Sequence, residues 1–121
     1  MERKAFESLV HHAIQELPEE FKDKLNNVAV IVEDYPSEEL LERMEVPDDE
    51  TLFGLYEVVP LTERGHFDAP LYPDRILIFQ GPIEEVCDSP DEIKDEVRVT
   101  LVHEIAHFFG IDDETLERMG Y

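Results

Sequence analysis

Ser89-Pro90-Asp91-Glu92-Ile93-Lys94-Asp95-Glu96-Val97-Arg98-Val99-Thr100-Leu101-Val102-His103-Glu104-Ile105-Ala106-His107-Phe108-Phe109-Gly110 is the stretch on which the fold turns. It opens on the clearest start signal in the chain. Ser89 can cap a helix, Pro90 suits the first helical position, and Glu92 can complete a capping box. No breaker follows until Gly110. One helix of about 20 residues, roughly 30 Å at 1.5 Å per residue, is therefore predicted over Pro90–Phe109. Leu101, Val102, Ile105, Ala106 and Phe109 give its second half an apolar character.

Within that half lies His103-Glu104-Ile105-Ala106-His107. Histidines at i and i+4 share one helical face, one turn apart, so both imidazoles can converge on a single ion. Glu104 can stand beside the ion without ligating it and take a proton from a water that the ion activates. Two histidines and a glutamate on a mostly apolar helix cost desolvation energy unless something satisfies them, and a metal would. Gly110 can take the left-handed conformation that turns the chain sharply. The turn can carry Asp113, six residues past His107, back toward the histidines, giving the pattern HExxHxxGxxD. A carboxylate is an acceptable zinc ligand. Asp113 can ligate or can cap the following helix, and Asp112 or Glu117 can take its place as ligand.

Outward from this helix, residues 3–17 carry Phe6, Leu9, Val10, Ala13, Ile14 and Leu17 at helical spacing, ended by Pro18. A shorter helix restarts at Glu19 with Phe21 and Leu25 on one face. Val28–Val32 is an apolar, β-branched run that reads as a well-buried strand. Ser37 can cap a short helix through Leu40, Leu41 and Met44. Leu52–Leu61 reads as a second strand, Thr62–Asp74 as an irregular loop, and Arg75–Phe79 as a third strand broken by Gly81-Pro82. A last short helix is predicted over Glu114–Met119. The fold class is α+β, one domain over residues 1–121: a sheet of about three strands packed on the long helix and the N-terminal helix. Strand order and direction do not follow from the sequence.

The 121 residues include 31 Asp and Glu against 10 Lys and Arg, a formal net charge of −21. Such a charge repels phosphate backbones and anionic bilayers, which argues against nucleic-acid and membrane-surface binding. It favours metal ions and cationic partners. No apolar stretch approaches the ~20 residues needed to span a bilayer. The charged start Met1-Glu2-Arg3-Lys4 is unlike an export signal. The single cysteine, Cys87, excludes an intrachain disulfide and a cysteine-cluster metal site. A cytoplasmic protein is expected.

The chain resembles the small bacterial zincin-like metallopeptidases, described as a minimal zincin. The resemblance runs from Leu17-Pro18-Glu19-Glu20-Phe21 and the Asn27–Val32 strand through Gly54-Leu55-Tyr56, Val59-Pro60-Leu61, Pro73-Asp74-Arg75-Ile76 and Gly81-Pro82-Ile83. It is most specific from His103 to Asp113. It implies a compact α/β fold, a zinc site of His103, His107 and Asp113, Glu104 as catalytic base, and a peptide or protein substrate. Only 14 residues follow His107, which leaves little room for the methionine turn of larger metzincins or for a far cleft wall. An open, shallow site is expected, with Met119 as packing. The expected function is zinc-dependent peptide hydrolysis. The alternative is a zinc-binding regulatory or interaction module with little or no peptidase activity.

Other residues are weaker candidates. His11 and His12 read as solvent-exposed on the first helix. His66 lies in the Gly/Pro loop. Tyr56, Tyr72 and Tyr121 could each offer a phenol to an oxyanion, but packing is the simpler role. Cys87 reads as structural. Asp48-Asp49-Glu50 and Glu84-Glu85 read as solvated surface, without the alternation and glycine of a calcium loop.

Overall fold

The structure is a computed structural model that describes residues 1–58 and 73–121. The elements in chain order are α1 (Arg3–Gln15), α2 (Glu19–Lys24), β1 (Val28–Glu33), α3 (Glu38–Arg43), β2 (Gly54–Glu57), β3 (Asp74–Phe79), α4 (Gln80–Val86), α5 (Pro90–Phe108) and α6 (Asp113–Arg118). The architecture is α+β, as the sequence predicts.

Helix α5 starts where its signals lie. Pro90 takes the first turn and Ser89 Oγ accepts the Glu92 N–H at 3.2 Å. The capping box is displaced by one residue, because Glu92 Oε2 accepts from the N–H of Asp88 rather than of Ser89. Ile93, Val97, Leu101 and Ile105 recur every fourth residue and are buried, together with Val102 and Ala106. They meet Phe6, Val10 and Ala13 of α1, with Leu17 and Phe21 beyond it. Each such side chain contributes about 1.5–3 kcal/mol on burial, so this face of α5 anchors the molecule.

The sheet order is β1-β3-β2, with β1 parallel and β2 antiparallel to the central β3. Period-two alternation divides β3 between two cores. Ile76 and Ile78 join the α1–α5 core, while Leu77 and Phe79 join Leu40 of α3 and Leu55 of β2 on the other face. Burial on both faces is what a continuous apolar run signals, and in β3 it holds. In β1 the same kind of run gives a half-buried strand, not the well-buried one expected. The reason is position: β1 lies at an edge of the sheet.

The second predicted strand is realised as Gly54–Glu57; the rest of Leu52–Leu61 from residue 59, and the predicted loop up to residue 72, lie outside the described residues. The strand ends at Phe79, before Gly81-Pro82 as predicted, but these two residues lie in the first turn of a helix not predicted from the sequence, α4, which follows β3 without a gap. Proline is tolerated there because the first N–H groups of a helix have no intrahelical acceptor. Gly81 lets the ring of exposed Tyr35 lie close over the start of α4, where a Cβ would push the ring aside. The hydroxyl of Tyr35 donates to Glu85 at 2.9 Å, and Glu84 meets the Met1 amino group at 3.1 Å. The Glu84-Glu85 pair is therefore engaged rather than simply solvated. Gln80, buried at the sheet end, accepts from Arg3 Nε and donates to the Met1 carbonyl, while Arg3 also donates to the Val32 carbonyl. No described helix is long and apolar enough to cross a membrane.

One contact sets the distance between sheet and α5. Gly54 of β2 is buried against Thr100, and a Cβ there would meet Thr100 Cγ2 at 2.6 Å and the Leu77 carbonyl oxygen at 3.0 Å. Backbone cannot yield as a side-chain tip can, so Gly54→Ala is expected to destabilise by about 1–3 kcal/mol through overpacking. Denaturant unfolding of the variant beside wild type measures this; an unchanged midpoint would mean that β2 has room to move.

Candidate metal centre

Beside its core face, α5 presents a second line of residues: Glu96, Thr100, His103 and His107, spaced four, three and four apart. These intervals keep all four on one face. The rings of His103 and His107 lie one turn apart, with centroids 5.9 Å from one another at 72°.

The end of α5 brings in the third group. Gly110 adopts φ +78° with nothing within 4 Å of an added Cβ, so conformation alone calls for glycine here. The Ile111 N–H bonds to the Ala106 carbonyl at 2.8 Å and the Gly110 N–H to the His107 carbonyl at 3.2 Å, the paired bonds of a Schellman stop. Asp112 then caps α6, its Oδ1 accepting from Thr115 N–H at 2.8 Å. That bond holds its carboxyl below the usual range. With Asp112 committed to the cap, Asp113 is the first residue of α6 and points back toward α5. Its Oδ1 lies 3.4 Å from His107 Nε2.

One donor atom each from His103, His107 and Asp113 lies within 4.8 Å of the other two, and no other three His, Cys, Asp or Glu converge this way among the described residues. Glu117 is not in the group. Tetrahedral zinc with bonds of ~2.0–2.2 Å needs donors about 3.4 Å apart. His107 and Asp113 are exposed side chains that can rotate through the difference. Two imidazoles and a carboxylate are also donor types that zinc accepts. The three residues therefore fit the ion.

Glu104 turns from this cluster toward the sheet. Its Oε1 accepts the backbone N–H of Tyr56 at 3.0 Å, tying α5 to the outer edge of β2. Burial pushes its carboxyl above the usual carboxylate range, although the Tyr56 N–H and the two histidines pull the other way. Sequence reasoning missed this bond, since nothing in the chain fixes which β2 amide meets which turn of α5. The Tyr56 ring stacks on Phe108 with centroids 4.0 Å apart and 9° between planes. Phe108 and Phe109 are exposed, and Lys24 Nζ stands 5.0 Å over the Phe109 ring.

Of the other predicted candidates, the Tyr56 phenol donates to Asp74 at 3.0 Å. Tyr121 packs edge-on against Phe21, and Met119 packs on the main core. His11 and His12 are exposed on α1. Cys87 is a half-buried free thiol whose pKa is raised by burial and by Glu96, Glu92 and Asp88. His66 and Tyr72 lie outside the described residues.

Comparison with known proteins gives a family match over residues 25–121, to a model described as zincin-like metallopeptidase. The match takes in α5 and α6, which build the cluster, and β2, whose Tyr56 N–H holds Glu104. No curated protein matches the chain. Among solved structures, a conserved hypothetical protein from T. thermophilus aligns over 90% of this chain and 94% of its own, at TM-score 0.58 and 24% identity. That likeness shows a shared fold.

The raised carboxyl of Glu104 has a thermodynamic sign. A folded-state pKa above the unfolded value of ~4.3 means that ionisation opposes folding once pH exceeds that value. Gln can still accept the Tyr56 N–H but cannot ionise. Metal-free Glu104→Gln should therefore melt at or above the wild-type temperature at pH 7, and this gain should vanish below about pH 4. Thermal melts in chelator over pH test it; a variant clearly less stable at pH 7 would contradict the burial argument.

Proposed function

Because the chain belongs to the zincin-like metallopeptidase family, we propose that it is a zinc-dependent peptide hydrolase. The observation that carries this reading is the convergence of His103, His107 and Asp113 beside a half-buried Glu104. His103 and His107 would hold the ion through imidazole nitrogens, and Asp113 through a carboxylate oxygen. When bound, zinc supplies Lewis acidity: it polarises the peptide carbonyl and lowers the pKa of the attacking water toward about 7.

The protein's own part falls to Glu104. One carboxylate oxygen is fixed by the Tyr56 N–H, which sets the orientation of the side chain and leaves the other oxygen to accept the proton of the attacking water. Held in that orientation, it can keep the proton briefly and pass it to the leaving amine. A peptide laid along the outer edge of β2 would add main-chain hydrogen bonds. Those would come from positions other than the Tyr56 N–H, which is given to Glu104.

A second reading is favoured by exposure. The side chains of His107 and Asp113 are 56% and 81% exposed, whereas water exclusion strengthens the electrostatics of catalysis. On that ground the chain could instead be a zinc-binding regulatory or interaction module. An unbiased peptide library separates the two: turnover by zinc-loaded wild type supports the hydrolase, and its absence with zinc bound supports the module.

Metal analysis and kinetics check the assignments together. His103→Ala and His107→Ala should each abolish stoichiometric zinc, and Asp113→Ala should weaken it. Zinc retained at one per chain in both histidine variants would rule out the centre. Glu104→Gln should keep its zinc while losing hydrolysis by about 10²–10⁴-fold, the range expected of a lost general base. Equal activity in that variant would rule out the mechanism with the metal still in place.

A further inference from the structure

A cavity of about 270 Å³ opens directly beside the candidate centre, with His103 and Glu104 at one end and Glu96 at the other. Leu52, Phe53 and Val99 supply apolar wall between them. Gly54 presses on Thr100 and brings β2 close to this part of α5. The volume falls just below the ~300–1,000 Å³ of small-molecule pockets, so it suits one side chain rather than a whole ligand.

The charges around it are one-sided. Among the described residues, the lining holds no Lys or Arg. Glu96 is half-buried, and its one hydrogen bond among the described residues is a long one, from Thr100 Oγ1 at 3.5 Å. Neighbouring acidic groups are already engaged: Asp95 with Arg98 at 3.7 Å and Glu92 with the Asp88 N–H. Among the described residues Glu96 makes no ion pair with Lys or Arg, and the basic group that acts on it is His103 at the other end of the cavity. An open groove with apolar wall and, at one end, a carboxylate that lacks a Lys or Arg partner among the described residues is complementary to a side chain with a methylene stem and a cationic head.

We propose that this cavity is a specificity pocket for a Lys or Arg side chain of the substrate, with Glu96 as the residue that selects it. The inference rests on the peptide-hydrolase reading of the same site. Seven residues separate Glu96 from His103, two turns or roughly 11 Å along the helix. One extended peptide residue of ~3.5 Å and a Lys or Arg side chain together cover such a span. The residue selected therefore lies next to the bond placed at the centre.

The test uses peptide pools identical except for Lys or norleucine at one fixed position, scanned along the sequence. Zinc-loaded wild type should cleave the Lys pool about tenfold or more faster at one position beside the cut, as expected for a charge-assisted bond to a carboxylate. Glu96→Gln should collapse the Lys-to-norleucine ratio toward one, and Glu96→Lys should invert it toward Glu. Because the whole protein attracts cations, Glu42→Gln, which removes the same charge from exposed α3, serves as control and should keep the ratio. Binding of the same pools to Glu104→Gln protein reads the pocket without turnover. A Lys preference in binding with no cleavage would overturn the hydrolase reading and leave the pocket standing. Cleavage with equal use of Lys and norleucine would overturn the pocket and leave the hydrolase. A Lys preference that survives Glu96→Gln or disappears in Glu42→Gln would also overturn the pocket.

Discussion

The approach of β2 to α5 is the constraint on which the rest depends. It is made by a residue without a side chain, Gly54 on Thr100, and closed two residues later by the Tyr56 N–H on Glu104. Without the first contact the second cannot form, because β2 would stand too far from the helix. The hydrogen bond takes up a main-chain donor on the side of β2 facing away from β3, which would otherwise need water or another partner. It also gives the half-buried carboxylate part of the compensation that its burial requires. Sheet, helix and candidate base are thus fixed by one junction.

Helix α5 carries core residues and the candidate site on adjacent faces. Ile93, Val97, Leu101 and Ile105 hold the helix against α1 and the sheet. His103, Glu104 and His107 occupy the angles left over. Their backbone positions are therefore set by the close packing of the helix, which tolerates little displacement, while the exposed His107 side chain can still rotate. Asp113 is positioned differently. It depends on a left-handed glycine, two backbone bonds and the Asp112 cap, all local in sequence. The candidate centre combines two groups on the long helix with one just past a turn, which Ile111 and Leu116 tie to the core.

Much of this was legible in the sequence because it is local. The start of α5, its length, the shared face of the two histidines and the turn at Gly110 each follow from residues within a few positions of one another. The division of labour between Asp112 and Asp113 was not, since either aspartate can cap; the observed cap on Thr115 decides it. Sheet order and the role of Tyr56 were equally out of reach, because they depend on which backbone amide faces which helical turn after folding. One error and one omission have simple causes. The apolar run of β1 does not reveal whether a neighbour covers its far edge, and Gly81-Pro82, which does end the strand, gives no sign that α4 begins there. Glu96 was legible in principle, four and seven residues before Thr100 and His103, but only the cavity between them gives the spacing a meaning.

The outer edge of β1 is unpaired among the described residues, and five of its six residues are apolar. Such an edge is a template for strand addition between copies of a chain. The countermeasure here is colloidal: at a formal charge of −21 every approach of one copy to another is repulsive. The reach of that repulsion is about 30 Å at 0.01 M salt and shrinks to about 3 Å at 1 M. Screening that relieves crowding of carboxylates within one molecule therefore also lowers the barrier between molecules. Conformational stability and resistance to self-association are set in opposite directions by the same ions.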